Sequence, residues 1–136
     1  MPILDTDIII ALIKGDESAL EHIRSIEASP TLGKFTTSIS AFELFNGAYR
    51  LMIKHKNDKD LDFVKEFLSG VDEVFQFDYE ASEIAGRIMS ELSSKGSAID
   101  IEDVMIAAIA IRRNEPVVTR NTKHFSGIEG LIVQPW

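Results

Sequence analysis

The chain has 136 residues, 45% of them hydrophobic and 26% charged, which suits one compact domain spanning 1–136 with a core of its own. It contains no cysteine, which removes disulfides and thiolate zinc sites, and only three His, which disfavours an imidazole-rich metal centre. No apolar run approaches the roughly 18 residues of a membrane span. The opening MPILDTDIIIALIKG lacks a basic leader and a small-residue cleavage site. A cytoplasmic protein with no membrane association is expected.

The charge is uneven. Residues 1–56 carry six basic and seven acidic side chains, residues 57–103 four and thirteen, and residues 104–136 four and two, for a total of −8. A surface this acidic repels phosphate, so general affinity for nucleic acid is not expected. A site for a phosphodiester in such a chain needs a local source of positive charge, and a bound divalent cation is one.

In chain order, Pro2–Leu4 reads as a short buried strand and residues 7–13 as a helix closed by Gly15. Ser18–Ile26 places Leu20, Ile23 and Ile26 at helical spacing, and Ser29-Pro30 ends that helix. Phe35–Ile39, rich in β-branched and aromatic residues, predicts a strand. Ser40 opens a long helix carrying Phe42, Phe45, Ala48, Tyr49 and Met52, and the charged stretch 54–60 reads as a loop. Leu61–Leu68 predicts a helix stopped by Gly70, Val74–Phe77 a strand, and Tyr79–Leu92 an amphipathic helix. Asp103–Ile111, nearly all apolar, predicts a buried helix. Pro116–Thr119 and Leu131–Val133 complete the strands. Strands alternating with helices argue for an α/β domain with a parallel sheet.

In such a sheet, ligands collect beyond the carboxyl ends of the strands. The polar residues that follow the predicted strands are Asp5-Thr6-Asp7, Ser40-x-x-Glu43 and Thr119-Arg120-Asn121, while Asp100 and Asp103 open the buried helix. Carboxylate and amide oxygens are hard ligands that suit Mg²⁺ or Mn²⁺. Several of these residues also have a local explanation. Ser40-x-x-Glu43 has the form of a capping box, Asp100-x-x-Asp103 resembles one, and Asp7 lies in a first helical turn where the dipole favours an acid. Asp5 has no such explanation, standing between an apolar strand and an apolar helix. Phe42, Phe45, Tyr49 and Met52 form a helical stripe that reads as core or interface, and Leu44, Phe45 and Tyr49 as possible partner contacts.

Three segments, LDTDIII, SISAFELFNGA and IDIEDVMIAAIAIRRNEPVVTRNTKHFSGIEGLIVQPW, together resemble PIN-domain nucleases, and among them the VapC-type toxins of toxin–antitoxin pairs. The segments cover essentially the whole chain in order. The resemblance implies a three-layer α/β/α sandwich with a short, mostly parallel central sheet. It implies a Mg²⁺- or Mn²⁺-dependent endoribonuclease that hydrolyses RNA, is restrained by a cognate antitoxin and forms a homodimer. It assigns catalytic roles to Asp5, Glu43 and Asp103, with Asn121 at a fourth position where many relatives carry Asp. Asp5 and Asp103 are the implied metal ligands, with Asp100 a nearby extra acid. Thr6 and Thr119 stand beside the acids, placed to bond an RNA phosphate or a metal-bound water, and Arg120, Lys123 and His124 are candidates for guiding the RNA backbone.

Two other readings remain open on the sequence. Asp5-Thr6-Asp7 after a strand fits the first motif of haloacid-dehalogenase-type phosphatases, although the chain is short for that fold. A non-catalytic PIN-like module that binds RNA or a protein without cutting is the other, and Asn121 leaves room for it.

Overall fold

The computed structural model describes residues 1–136. Five strands form one sheet: β1 (Ile3–Leu4), β2 (Phe35–Thr37), β3 (Glu73–Phe75), β4 (Val117–Val118) and β5 (Val133–Gln134). Their order is β3-β2-β1-β4-β5, and every pairing is parallel, with Ile3 facing Phe35 on one side and Val117 on the other. The connections are helical: α1 (Thr6–Ile13), α2 (Glu17–Ala28), α3 (Ser38–His55), α4 (Lys59–Ser69), α5 (Tyr79–Ser94), α6 (Ile101–Arg113) and α7 (Thr122–Phe125).

The strands are short, yet their residues sort the helices into two layers. Consecutive strand residues point to opposite faces. Ile3 and Val117, with Phe35 and Phe75, pack against α5, α6 and α7 through Ala81, Ile88, Ile109 and Phe125. Leu4 and Val118 pack the other way, against Ile8, Ile23, Leu44 and Val64 of α1 to α4. A parallel sheet covered on both sides needs continuous apolar strands, and IL and VV supply them. Each such side chain, fully buried, contributes about 1.5–3 kcal/mol. The result is the three-layer α/β/α sandwich that the resemblance implied, with a sheet that is wholly parallel.

Several boundaries differ from the sequence reading, and the most consequential is at α3. The strand expected over Phe35–Ile39 stops at Thr37, and the helix begins at Ser38. Thr37 is the N-cap: its Oγ1 accepts the Ser40 N–H at 3.0 Å. The β-branched run Thr-Thr-x-Ile imitated a longer strand, but the hydroxyl of Thr37 ends it. At its other end α3 continues to His55, through charged residues read as loop, because Lys54 and His55 sit favourably in a last helical turn. The α6 helix also starts earlier, at Ile101, and α7 was not expected at all.

Candidate active site

Asp5 follows β1 directly and is the N-cap of α1, in extended backbone at φ −72° and ψ 162°. Its Oδ1 accepts the Thr6 N–H at 2.8 Å and its Oδ2 the Thr119 hydroxyl at 2.8 Å. The residue is only 4% exposed. Burial, then the neighbouring Asp7 charge, pushes its carboxyl from 3.8 up to about 7, with a smaller push from Asp103; the bonds from Thr119 and Thr6 pull the other way.

Glu43 lies on α3, and it does not cap that helix. Its Oε1 accepts the Thr6 hydroxyl at 2.7 Å, so the capping box read from Ser40-x-x-Glu43 is not formed. Ser40 is fully buried, with its Oγ 2.9 Å from Thr6 Oγ1 and 3.3 Å from Thr37 Oγ1. Each hydroxyl carries one hydrogen. Since Thr6 donates to Glu43, the sequence of donors that satisfies every group is Thr37 to Ser40, Ser40 to Thr6, and Thr6 to Glu43. Burial raises the Glu43 carboxyl, the Thr6 bond opposes that, and the charges of Asp103, Glu102 and Asp100 raise it further. The start of α6 therefore faces Glu43.

At that start, Asp100 occupies the N-cap position without making a side-chain cap bond, so the second box is absent too. Asp103 Oδ2 lies 3.2 Å from His124 Nδ1, which is also 2.7 Å from Asn121 Nδ2. Burial raises the Asp103 carboxyl, His124 counters it by hydrogen bond and charge, and Asp100 and Glu102 add to the rise. The sequence offered His124 as a guide for the RNA backbone and gave no sign of its bond to Asp103. Its position beside Asp103 and Asn121 depends on α7, whose four residues carried no detectable helical period.

Asp7, read as a dipole acid, is the anchor of the turn after β4. Its Oδ2 is 2.9 Å from Thr119 Oγ1 and accepts the Arg120 N–H at 2.8 Å, and its Oδ1 accepts Trp136 Nε1–H at 3.1 Å. Thr119 is fully buried and also accepts the Asn121 N–H at 3.0 Å. Its single hydrogen thus faces two carboxylates. With Asp5 protonated, Asp5 donates to Thr119 and Thr119 to Asp7; once Asp5 ionises, the hydroxyl turns to it. The Arg120 guanidinium lies 3.6 Å over the Trp136 ring and 3.2 Å from Asp16. Lys123 is exposed on α7.

The fold thus gathers Asp5, Thr6, Glu43, Asp103, Thr119 and Asn121 at one end of the sheet. Arg120 is turned toward Trp136 and Asp16. The donor set fits a hard divalent cation chemically: three carboxyls with raised affinity for protons are the groups whose repulsion a cation would relieve. As they stand, no three acidic or His side chains converge on one point, so sharing an ion requires side-chain rotation.

The PIN domain family matches residues 3–131. The tRNA(fMet)-specific endonuclease VapC of Salmonella typhimurium is 35% identical, over 98% of this chain and 96% of that one. Ribonuclease VapC2 of Rickettsia felis is 32% identical over the same shares. Among solved structures, VapBC2 from Rickettsia felis bound to a promoter DNA fragment superposes with a TM-score of 0.86 at 28% identity, covering 98% of this chain and 97% of that chain. DNA-bound VapBC from Salmonella typhimurium gives 0.83 at 29% identity, covering 100% and 99%. These matches run through the strand ends that carry the acidic site, and they leave the phosphatase reading without support. The chain belongs to the PIN domain family, within its VapC group.

Proposed function

We propose that this chain is an endoribonuclease that hydrolyses RNA phosphodiester bonds with Mg²⁺ or Mn²⁺, as the toxin of a toxin–antitoxin pair in the cytoplasm. The observation that supports it most is the cluster of Asp5, Glu43 and Asp103, each carboxyl raised first by burial and then by nearby acidic charge. The VapC relatives are named as endonucleases or ribonucleases, and the structural neighbours are VapBC complexes.

In this reading Asp5 and Asp103 hold the cation, with Asp100 and Asn121 within reach of the same edge. Bound there, the cation supplies an offset for charge on the phosphoryl oxygens and lowers the pKa of water. Glu43, held by Thr6, orients the attacking water and accepts its proton. Thr119 keeps Asp5 aimed at the cleft. Lys123 is the free cation that guides the RNA backbone, because Arg120 already has two partners. An apolar groove of about 180 Å³ runs beside Glu43 between α1, α3 and α4, lined by Ile10, Ile13, Leu44 and Leu51, and suits an apolar segment of the antitoxin. Phe42, Tyr49 and Ile53, exposed along α3, form the face we assign to a homodimer. Incubation of the purified chain with total RNA, with Mn²⁺ and then with chelator, tests the activity: cleavage that the chelator abolishes supports it.

A further inference from the structure

The sheet is thinnest where the site needs it most. β1, β4 and β5 have two residues each, so backbone pairing ends at Thr119, whose N–H bonds the Gln134 carbonyl at 2.9 Å. Past that point the turn carrying Arg120 and Asn121 is tied down by side chains. Two of those ties end on the Asp7 carboxylate whatever the state of Asp5, the Arg120 N–H and the Trp136 indole N–H, and the Thr119 hydroxyl is a third while Asp5 is protonated. Trp136 itself lies two residues beyond β5, beneath the Arg120 guanidinium, and Arg120 is braced from behind by Asp16, which also caps α2 through the Ala19 N–H at 3.0 Å. The indole therefore touches the turn twice, once through Asp7 and once through Arg120, and Thr119 relays its position to Asp5.

We infer that Trp136 and Asp7 act as a latch, two positioning residues that set Thr119 and Asn121, and through Thr119 the Asp5 carboxyl, for the reaction proposed above. The inference rests on that reading for its kinetic consequence but not for its structural one. Neither residue needs to touch RNA or cation. A carboxylate held by two N–H donors from separate segments has little freedom, and carboxyl orientation is what ligand-supporting residues control; their loss commonly costs about 10–100-fold in metal affinity or activity.

Two measurements separate the latch from ordinary packing. Trp136→Phe keeps an aromatic ring over Arg120 and removes only the N–H to Asp7. The latch predicts that kcat for RNA cleavage falls roughly tenfold while KM and the cooperative melt stay near wild type, and that Trp136→Ala falls further. Unchanged kcat in Trp136→Phe, or a change confined to KM, overturns the inference. If Trp136→Phe folds poorly, Asp7→Asn, which keeps the side-chain size, takes its place with the same expectation. The second measurement needs neither RNA nor cation. Trp136 is the only Trp in the chain, so its emission reports the latch alone. Thr119→Val is expected to shift that emission and increase its quenching by acrylamide; identical emission and quenching in Thr119→Val overturn the coupling. Should wild type cut no RNA with any cation, the proposed activity fails while the emission result still decides the latch.

Discussion

Thr6 Oγ1 stands 2.7 Å from Glu43 Oε1 and 2.9 Å from Ser40 Oγ, so one hydroxyl ties the end of the central strand to the helix that follows its neighbour. This tie fixes the distance between two strand ends and gives the Glu43 carboxyl a donor from the first strand's end.

Thr6→Val keeps the side-chain outline but leaves Glu43 without its donor and the Ser40 hydrogen without an acceptor. Leaving such groups unpaired costs about 1–3 kcal/mol. The melting temperature should fall by several degrees, and RNA cleavage should fall with it. A melt indistinguishable from wild type would show that the bond carries no stability.

Asp5 makes stability depend on pH in a defined direction. Its folded value, about 7, lies above the ordinary 3.8, so the folded state keeps a proton that the unfolded chain releases. The stabilising contribution is complete below 3.8 and is lost as pH rises toward about 7. Glu43 and Asp103, both raised, act in the same sense. With chelator present, denaturation midpoints measured across this window should decline with pH, and Asp5→Asn should flatten most of the decline. A midpoint that rises through the window contradicts the assignment.

A divalent cation should reverse that loss. At neutral pH, Mg²⁺ or Mn²⁺ is expected to raise the melting temperature of wild type, because it binds the folded site and relieves repulsion among Asp5, Glu43 and Asp103. Asp5→Asn should show a much smaller rise. Equal shifts in the two proteins would place the cation elsewhere.

Asn121 places a neutral amide beside His124 and, through it, Asp103. Asn121→Asp adds a charge beside Asp103 and His124. Calorimetry should then show tighter Mn²⁺ binding, with lower stability in chelator from the added repulsion. Unchanged affinity would mean that Asn121 does not face the cation.

Much of this arrangement could be read from the chain. The runs IL and VV imposed buried parallel strands, and Asp5 and Glu43, on the segments that follow β1 and β2, lie at the same end of the sheet, joined through Thr6. What sequence concealed were side-chain bonds between distant segments. Ser40 and Glu43 had the spacing of a cap, but Thr37 took the cap, leaving Ser40 to pass a hydrogen bond to Thr6 and Glu43 to receive one. Asp7 looked like a dipole acid because the turn and indole it holds lie 112 or more residues away in sequence. The contact of His124 with Asp103 was hidden by the brevity of α7, too short to show a helical period.

The most direct test of the acidic site as a nuclease centre compares wild type with Asp5→Asn on total RNA, each with Mn²⁺ and with chelator, after removal of any bound partner. Wild type should cleave with Mn²⁺ only, and Asp5→Asn at least about a hundredfold less, the loss of a cation-holding carboxylate outweighing that of a supporting residue. Equal cleavage by both proteins, or RNA binding without cleavage in both, would contradict it.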